Sequence, residues 1–364
     1  MSLHRFTAFL KELCRERNIS LVDDRIVTVE SDDDRIQAVH SETDTYEADL
    51  YVDATGFERL LIGAVSDSFR SFEIPLDTAV QATADLDIRD IHPATVVETG
   101  EYGWFWQIDT IDNRDLGYVF ASEYISTEDA IAEFESHRDE SFLDLEVYRF
   151  DSGFHDQVWV GNCLASGNAA GFIEPLQSTA LTSNLAAAVR VSQLLASHCR
   201  VNDRGLRQSV NAYTRGLWNS IYDFISLHYR FASGENDFWR EMQSIPLSEK
   251  ATRYIAYYED NGLEVHDSEL INDDGSHADM VTFPTSSMYL IMRHMGATSR
   301  FYEEHDIDVS AEVVEKWEQR NAFVERAAEE CLTYQQVYES GLVESYRRDE
   351  RAYARAGGSA RRSR

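Results

Sequence analysis

Gly167-Asn168-Ala169-Ala170-Gly171-Phe172-Ile173-Glu174-Pro175-Leu176-Gln177-Ser178-Thr179-Ala180 follows an apolar, strand-like run from Val158 to Ala165 and leads into residues 183–196, rich in Ala, Leu and Val. Gly167 and Gly171 let the backbone approach a bulky group, while Ser178 and Thr179 can cap the next helix and aim free N–H groups at an anion. Strand, glycine turn and helix in this order form a ligand-cradling turn. A plain strand-turn-helix junction shares that outline, so the rest of the chain must decide between them.

A second such turn lies upstream. Residues 48–53 form a buried strand candidate that ends at Ala54-Thr55-Gly56, and a glycine turn at the C-terminal end of a strand is the ligand side of a parallel sheet. Asp53 there suits a ribose partner or a strand-terminal cap. Between the two turns, Trp104 and Trp106 alternate along Gly103-Trp104-Phe105-Trp106-Gln107-Ile108, which sends both rings to one face of a strand. These features together suit a nucleotide-binding α/β domain.

The segment at 167–180 resembles the FAD- and halide-contacting loop of the flavin-dependent tryptophan halogenases, with the pattern G-[DN]-A-A-G-F-[IV]-[DE]-P-L-E-S-T-G. Phe172, Pro175 and Ser178 fall on its signature, and Ala180 replaces the last glycine. The stretch 103–108 resembles the family's W-x-W-x-I-P box, with Asp109 in place of the proline. Tyr51 to Phe57 resembles its V-D-[AC]-[TS]-G-F turn, and Asp223 to Tyr229 with Phe238-Trp239 matches D-F-I-x-x-H-Y and F-W. Four matches in order, reaching from near the N-terminus to about residue 240, are specific where each alone would be weak.

The resemblance implies an FAD/NAD(P)-binding, monooxygenase-like fold: an α/β domain with an inserted β-sheet over 1–200, a helical part over 201–346 and a basic, disordered tail over 347–364. It implies FAD reduced by a separate flavin reductase, a halide and a small aromatic substrate. Thr55, Gly56, Gly167, Asn168, Ala169, Gly171 and Phe172 map to flavin contacts, and Ser178, Thr179 and Ala180 to the halide turn. Trp104 and Trp106 map to the passage beside the flavin. In this family, reduced flavin and oxygen oxidise the halide, and the hypohalous acid formed travels to a lysine and a glutamate beside the indole. The glutamate position is Gln177 here, an amide that keeps hydrogen bonding but carries no charge and cannot act as a carboxylate base. Glu174 is the nearest alternative carboxylate.

None of the 18 glycines forms G-x-G-x-x-G, the loop that holds a pyrophosphate on a helix N-terminus. The resemblance therefore implies the family fold without its first βαβ unit and without the lysine that accompanies it. Met1 then reads as a misassigned start, an internal start or the true start of one half of a split protein. A catalytically silent chain that needs an N-terminal partner, and a non-halogenating flavin monooxygenase, are the alternative readings.

Composition narrows the partners. Asp and Glu number 65 against 33 Lys and Arg, a formal charge of −32, and Lys11, Lys250 and Lys316 are the only lysines. Such a surface disfavours nucleic acid and anionic membranes. With lysine scarce and arginine retained, it points to a halophilic protein, in which salt screens the self-repulsion. Cys14, Cys163, Cys199 and Cys331 lack ligand spacing and read as reduced core thiols of a soluble, cytoplasmic protein. No His/Cys/Asp/Glu cluster suggests a metal, and no run is long enough to span a membrane.

Along the chain, residues 3–17 place Phe6, Phe9, Leu10 and Leu13 on one helical stripe. Runs at 20–22, 25–29 and 36–39 predict an antiparallel meander, and runs within 70–125 predict a sheet over a substrate cavity. A helix is expected from Ser126 to about His137, and 183–196 is expected as a core helix. Leu217, Ile221, Phe224, Ile225, Leu227 and His228 form a wide apolar stripe. Asp273-Asp274-Gly275 marks a loop, and 310–350 is expected as one or two helices with Trp317, Phe323, Ala327 and Leu332 inward.

Overall fold

A computed structural model describes residues 3–110, 113–138, 141–197, 203–262, 285–304 and 310–340. The Asp273–Gly275 turn, Cys199 and the basic end of the chain lie outside the described residues. Helix α1 (Leu3–Glu16) opens the chain as its stripe predicts, though Phe9 and Leu10 stay exposed.

Strands β1 (Ile26–Asp32), β2 (Arg35–Ser41) and β3 (Thr45–Tyr46) make the expected antiparallel meander, turning at Asp33 with φ 49°. Its third strand is Thr45–Tyr46 instead of the expected Ser20–Val22. The segment just after Val22 is held by side chains: Asp24 accepts from the hydroxyls of Ser41, Thr43 and Tyr46, so no ladder forms there.

Next come β4 (Tyr51–Asp53), β5 (Phe69–Ser71), β6 (Thr78–Ala84), β7 (Val96–Thr99), β8 (Gly103–Asp109), β9 (Arg114–Phe120), α2 (Thr127–His137) and β10 (Phe142–Arg149). Short strands β11 (Gly153–His155), β12 (Trp159–Val160), β13 (Cys163–Ala165) and β14 (Gly171–Phe172) lead to the helices α3 (Thr179–Ser197), α4 (Arg204–Arg230), α5 (Asp237–Ser244), α6 (Glu249–Asn261), α7 (Thr285–His294), α8 (Arg300–Glu304), α9 (Ala311–Glu330) and α10 (Tyr334–Glu339).

Val158 to Ala165 is therefore a tight hairpin, not one strand. Gly161 turns it with φ 53°, and a Cβ there would sit 1.7 Å from the Asp34 carbonyl oxygen, so only glycine fits. The hairpin's second strand pairs with β4 in parallel, Cys163 opposite Tyr51 and Ala165 opposite Asp53. The other large sheet runs β10-β6-β9-β8-β7, antiparallel throughout. Period-two alternation sends Trp104 and Val119 to one face and Phe105, Tyr118 and Phe120 to the other. Helix α2 covers the second face with Ala130 and Phe134, and starts where Ser126 accepts a hydrogen bond from Asp129 N–H.

Helix α4 joins the halves of the molecule. Its first turns bury Leu206 and Val210 against the parallel sheet, and Leu217 to Tyr229 then form the core with Trp104, Phe154 and Trp218. At 27 residues it is about 40 Å long. Asn211 pins it to the hairpin, accepting from Trp159 N–H and donating to Trp159 C=O.

Two helices differ from expectation. Leu181 and Leu185 of α3 are 61% and 65% exposed, and Trp317 and Phe323 of α9 are 63% and 64% exposed. Neither helix is a core helix among the described residues: α3 leans Ala186, Val191, Leu194 and Leu195 on the core from outside, and α9 leaves its large apolar side chains in solvent. Leu332 and Cys331 are exposed as well, Cys14 is half-buried, and Cys163 alone of the described cysteines is a core thiol.

Candidate functional site

The parallel pair β4–β13 brings the two predicted turns together. Ser166 N–H donates to Asp53 C=O at 2.8 Å, and the 56–58 and 167–169 turns pack side by side, Phe57 and Phe172 meeting edge to face at 5.3 Å. Gly56 (φ 69°) and Gly167 (φ 65°) hold left-handed backbone with open space beyond: a Cβ would meet nothing within 4 Å at Gly56 and only Asn184 Nδ2, at 3.9 Å, at Gly167. That is a cradle a flat ligand can approach.

Gly171 serves another purpose than expected, since a Cβ there would lie 2.6 Å from Phe154 Cβ and 2.8 Å from the Trp218 ring. The protein fills that space itself. Ala169 is buried, whereas Asn168 and Phe172 are half-buried beside the cradle. Asp53 resolves as the cap. One carboxylate oxygen accepts from Thr55 N–H and Oγ1–H, and the other from Leu61 and Ile62 N–H at 2.9 and 2.8 Å. Thr55 is thereby spent on the turn's own shape.

Trp104 and Trp106 do share a face, their ring centroids 5.8 Å apart. Trp104 Nε1 donates to Glu174 Oε2 at 3.0 Å, and the Tyr229 hydroxyl lies against the same carboxyl. Glu174 is fully buried, its second oxygen has no hydrogen-bond partner, and desolvation lifts its pKa to about 8 in spite of the Trp104 donor. Burial thus favours its neutral form, and the nearest alternative carboxylate of the sequence is engaged in holding Trp104.

Beyond Glu174 the chain turns sharply. Gln177 (φ 63°) and Ser178 (φ 52°) are consecutive non-glycine residues in the left-handed region, a strained arrangement that surrounding contacts must hold. Ser178 N–H donates to Pro175 C=O at 3.0 Å, so it is committed within the turn instead of being offered to an anion. Thr179 is buried at the start of α3, and Ala180 is half-buried. Gln177 itself is exposed, with its amide nitrogen 3.3 Å from Nε2 of His228 on α4. Sequence reasoning placed His228 on the apolar stripe, where it does sit, but the 51-residue separation hid its partner.

Phe238-Trp239 of the sequence motif and the later Tyr289 are core residues. Phe238 packs against Tyr102 and Tyr124, Trp239 against Phe238 and Tyr229, and Tyr289 closes against Tyr254, Tyr257 and Tyr258. His155 is buried by Phe69, and desolvation followed by the charge of Arg59 lowers its pKa to about 4. No group of three or more metal-ligating side chains occurs among the described residues, and no described helix is long and apolar enough to cross a membrane.

The tryptophan halogenase family model matches residues 1–307. The 7-chloro-L-tryptophan 6-halogenase KtzR of Kutzneria sp. (strain 744) is 30% identical over 274 residues, which are 72% of this chain and 52% of KtzR. The tryptophan 7-halogenase RebH of Lentzea aerocolonigenes is 29% identical over 271 residues, 70% of this chain and 50% of RebH. The chain thus spans about half the length of these curated relatives. Among solved structures, the tryptophan 5-halogenase MibH superposes with a TM-score of 0.82 at 26% identity, over 95% of this chain and 66% of MibH.

Proposed function

This chain belongs to the tryptophan halogenase family, and we propose that it carries the loop-and-sheet side of a flavin-dependent site that halogenates an indole-type aromatic substrate. One observation carries the reading: residues 166–178 after β13 link the open Gly56–Gly167 cradle, the Trp104–Trp106 wall through the Trp104–Glu174 hydrogen bond, and the strained Gln177–Ser178 turn. The cradle's left-handed glycines fit the approach of a flavin, whereas no G-x-G-x-x-G occurs to hold its pyrophosphate. FAD, when bound and reduced by a separate reductase, supplies the oxidation of halide with oxygen.

The residues of this chain supply the rest. Gly56, Gly167, Asn168 and Phe172 would hold a flavin in the cradle. The first turn of α3, at Thr179 and Ala180, offers N–H donors to halide. Trp104, held by Glu174, keeps the wall in one rotamer beside Trp106 and excludes water. Gln177 stands where a relative's glutamate would act, and it can orient a substrate by hydrogen bonding but cannot take a proton from it. We assign the flavin side to the α/β part before residue 201, and α4 backs the turn through His228. We place the protein in the cytoplasm of a salt-rich cell, on its charge and its reduced thiols.

The decisive measurement is mass spectrometry of products from this chain with a reductase, FAD, chloride or bromide and a panel of indoles. Weak FAD retention is expected. Halogenated product should be scant with free tryptophan and should rise with Gln177→Glu, since a positioned acid–base group is worth about 10²–10⁴ in rate. Oxygenated product without halogen would favour a monooxygenase, which the uncharged Gln177 also suits. No product unless an N-terminal partner chain is added would favour the silent half-protein.

A further inference from the structure

His228 offers two ring nitrogens to two neighbours of different kinds. Nδ1 lies 2.9 Å from the Phe224 carbonyl oxygen, an acceptor only, so Nδ1 must carry the proton. Nε2 faces the Gln177 side chain at 3.3 Å. The ring is buried and meets the Phe224 ring at 4.8 Å, and desolvation favours the neutral form. A neutral imidazole with its proton on Nδ1 has a lone pair on Nε2, which requires a donor. Gln177 meets that requirement with its NH2, and its carbonyl oxygen then points away from the histidine.

We propose that His228 is a positioning residue that fixes the amide of Gln177, so that the Gln177 carbonyl oxygen is presented as a neutral hydrogen-bond acceptor to an N–H or O–H of an uncharged aromatic substrate. The proposal rests on the turn being the halogenation site. Its chemistry differs from a carboxylate at the same place: the pair selects donors without ionising them. A carboxylate at 177 would face the Nε2 lone pair, and the repulsion would be relieved by protonating His228 to an imidazolium.

Long-range ¹H–¹⁵N spectra of the full chain labelled at histidine test the pair, with the His228 signal identified by its loss in His228→Asn. Wild-type His228 is expected as the neutral, Nδ1-protonated tautomer at pH 7, and Gln177→Glu is expected to raise its titration midpoint by about one unit or more, a tenfold change in proton affinity. An Nε2-protonated or charged ring in the wild type, or an unmoved midpoint in Gln177→Glu, overturns the pairing. Neither result depends on turnover, so they are separable from failure of the halogenase reading. Calorimetry with indole and 1-methylindole tests the acceptor: methylation should weaken binding about three- to tenfold in the wild type and much less in His228→Phe. Equal affinities in the wild type, with the tautomer as expected, overturn the acceptor assignment alone. Absence of binding by both overturns it together with the site reading.

Discussion

At the scale of single residues, the site depends on a carboxyl that the mechanism never ionises. Glu174 is raised to about 8 by burial, so the native state holds its proton through a range in which the unfolded chain, titrating near 4.5, has released it. The sign follows: its contribution to stability is full below about pH 4.5 and is lost progressively as pH rises through 8. Glu174→Gln keeps an acceptor for Trp104 Nε1 and removes the titration. The variant should therefore gain stability relative to wild type by about 1.4 kcal/mol per pH unit across much of that window. Urea unfolding of both proteins at pH 5 and pH 8 measures it, and a constant difference between the two would mean that Glu174 is already ionised. This role was not legible in the sequence, where Glu174 stood out only as the carboxylate nearest to Gln177. Burial of a side chain in a turn depends on what packs over it, here Trp104 and Tyr229 from distant strand and helix.

At the scale of elements, legibility followed the strength of the local pattern. The strands around Trp104, the Ser126-capped helix and the buried stripe of α4 were readable because alternation, capping and 3.6-residue spacing are properties of a few neighbouring side chains. Helices α3 and α9 were readable as helices but not as surface ones, because an apolar stripe does not say whether anything covers it. The Val158–Ala165 hairpin was hidden by the apolarity of both arms, and Gly161 was its only signal. The tryptophan wall makes a prediction of the same kind. Gly117 on β9 lies beneath Trp106, and a Cβ there would fall 1.9 Å from the indole. Gly117→Ala must push that ring out of its place, and overpacking of this sort costs about 1–3 kcal/mol. A fall of several degrees in the thermal midpoint with a changed tryptophan emission is expected. An unaltered midpoint and spectrum would show that Trp106 has room to move and does not form a fixed wall.

At the scale of the whole molecule, net charge governs how the fold responds to its solvent. With 65 acidic and 33 basic side chains, at least 32 carboxylates have no basic counterpart anywhere in the chain. Beside exposed pairs such as Lys316 with Glu312, some pairs are sheltered, among them Arg114 with Asp109 and Arg215 with Asp156, both at 2.8 Å. Salt screens exposed charges strongly and such sheltered pairs much less. Raising ionic strength should therefore remove repulsion among the unpaired carboxylates faster than it weakens the bonds that hold α4 to the hairpin. The Debye length falls from about 10 Å at 0.1 M to about 3 Å at 1 M, so most of the gain should be complete by about 1 M. A rise of about 5 °C or more in the thermal midpoint between 0.1 M and 1 M KCl is expected, as about 2 kcal/mol gives in a protein of this class, followed by a shallower slope. That curvature separates screening from a general salting-out of the apolar faces on α3 and α9, which would keep growing with concentration. A midpoint that is flat or falling below 1 M KCl would remove the high-salt reading and leave an ordinary acidic protein whose carboxylates are far enough apart not to interact.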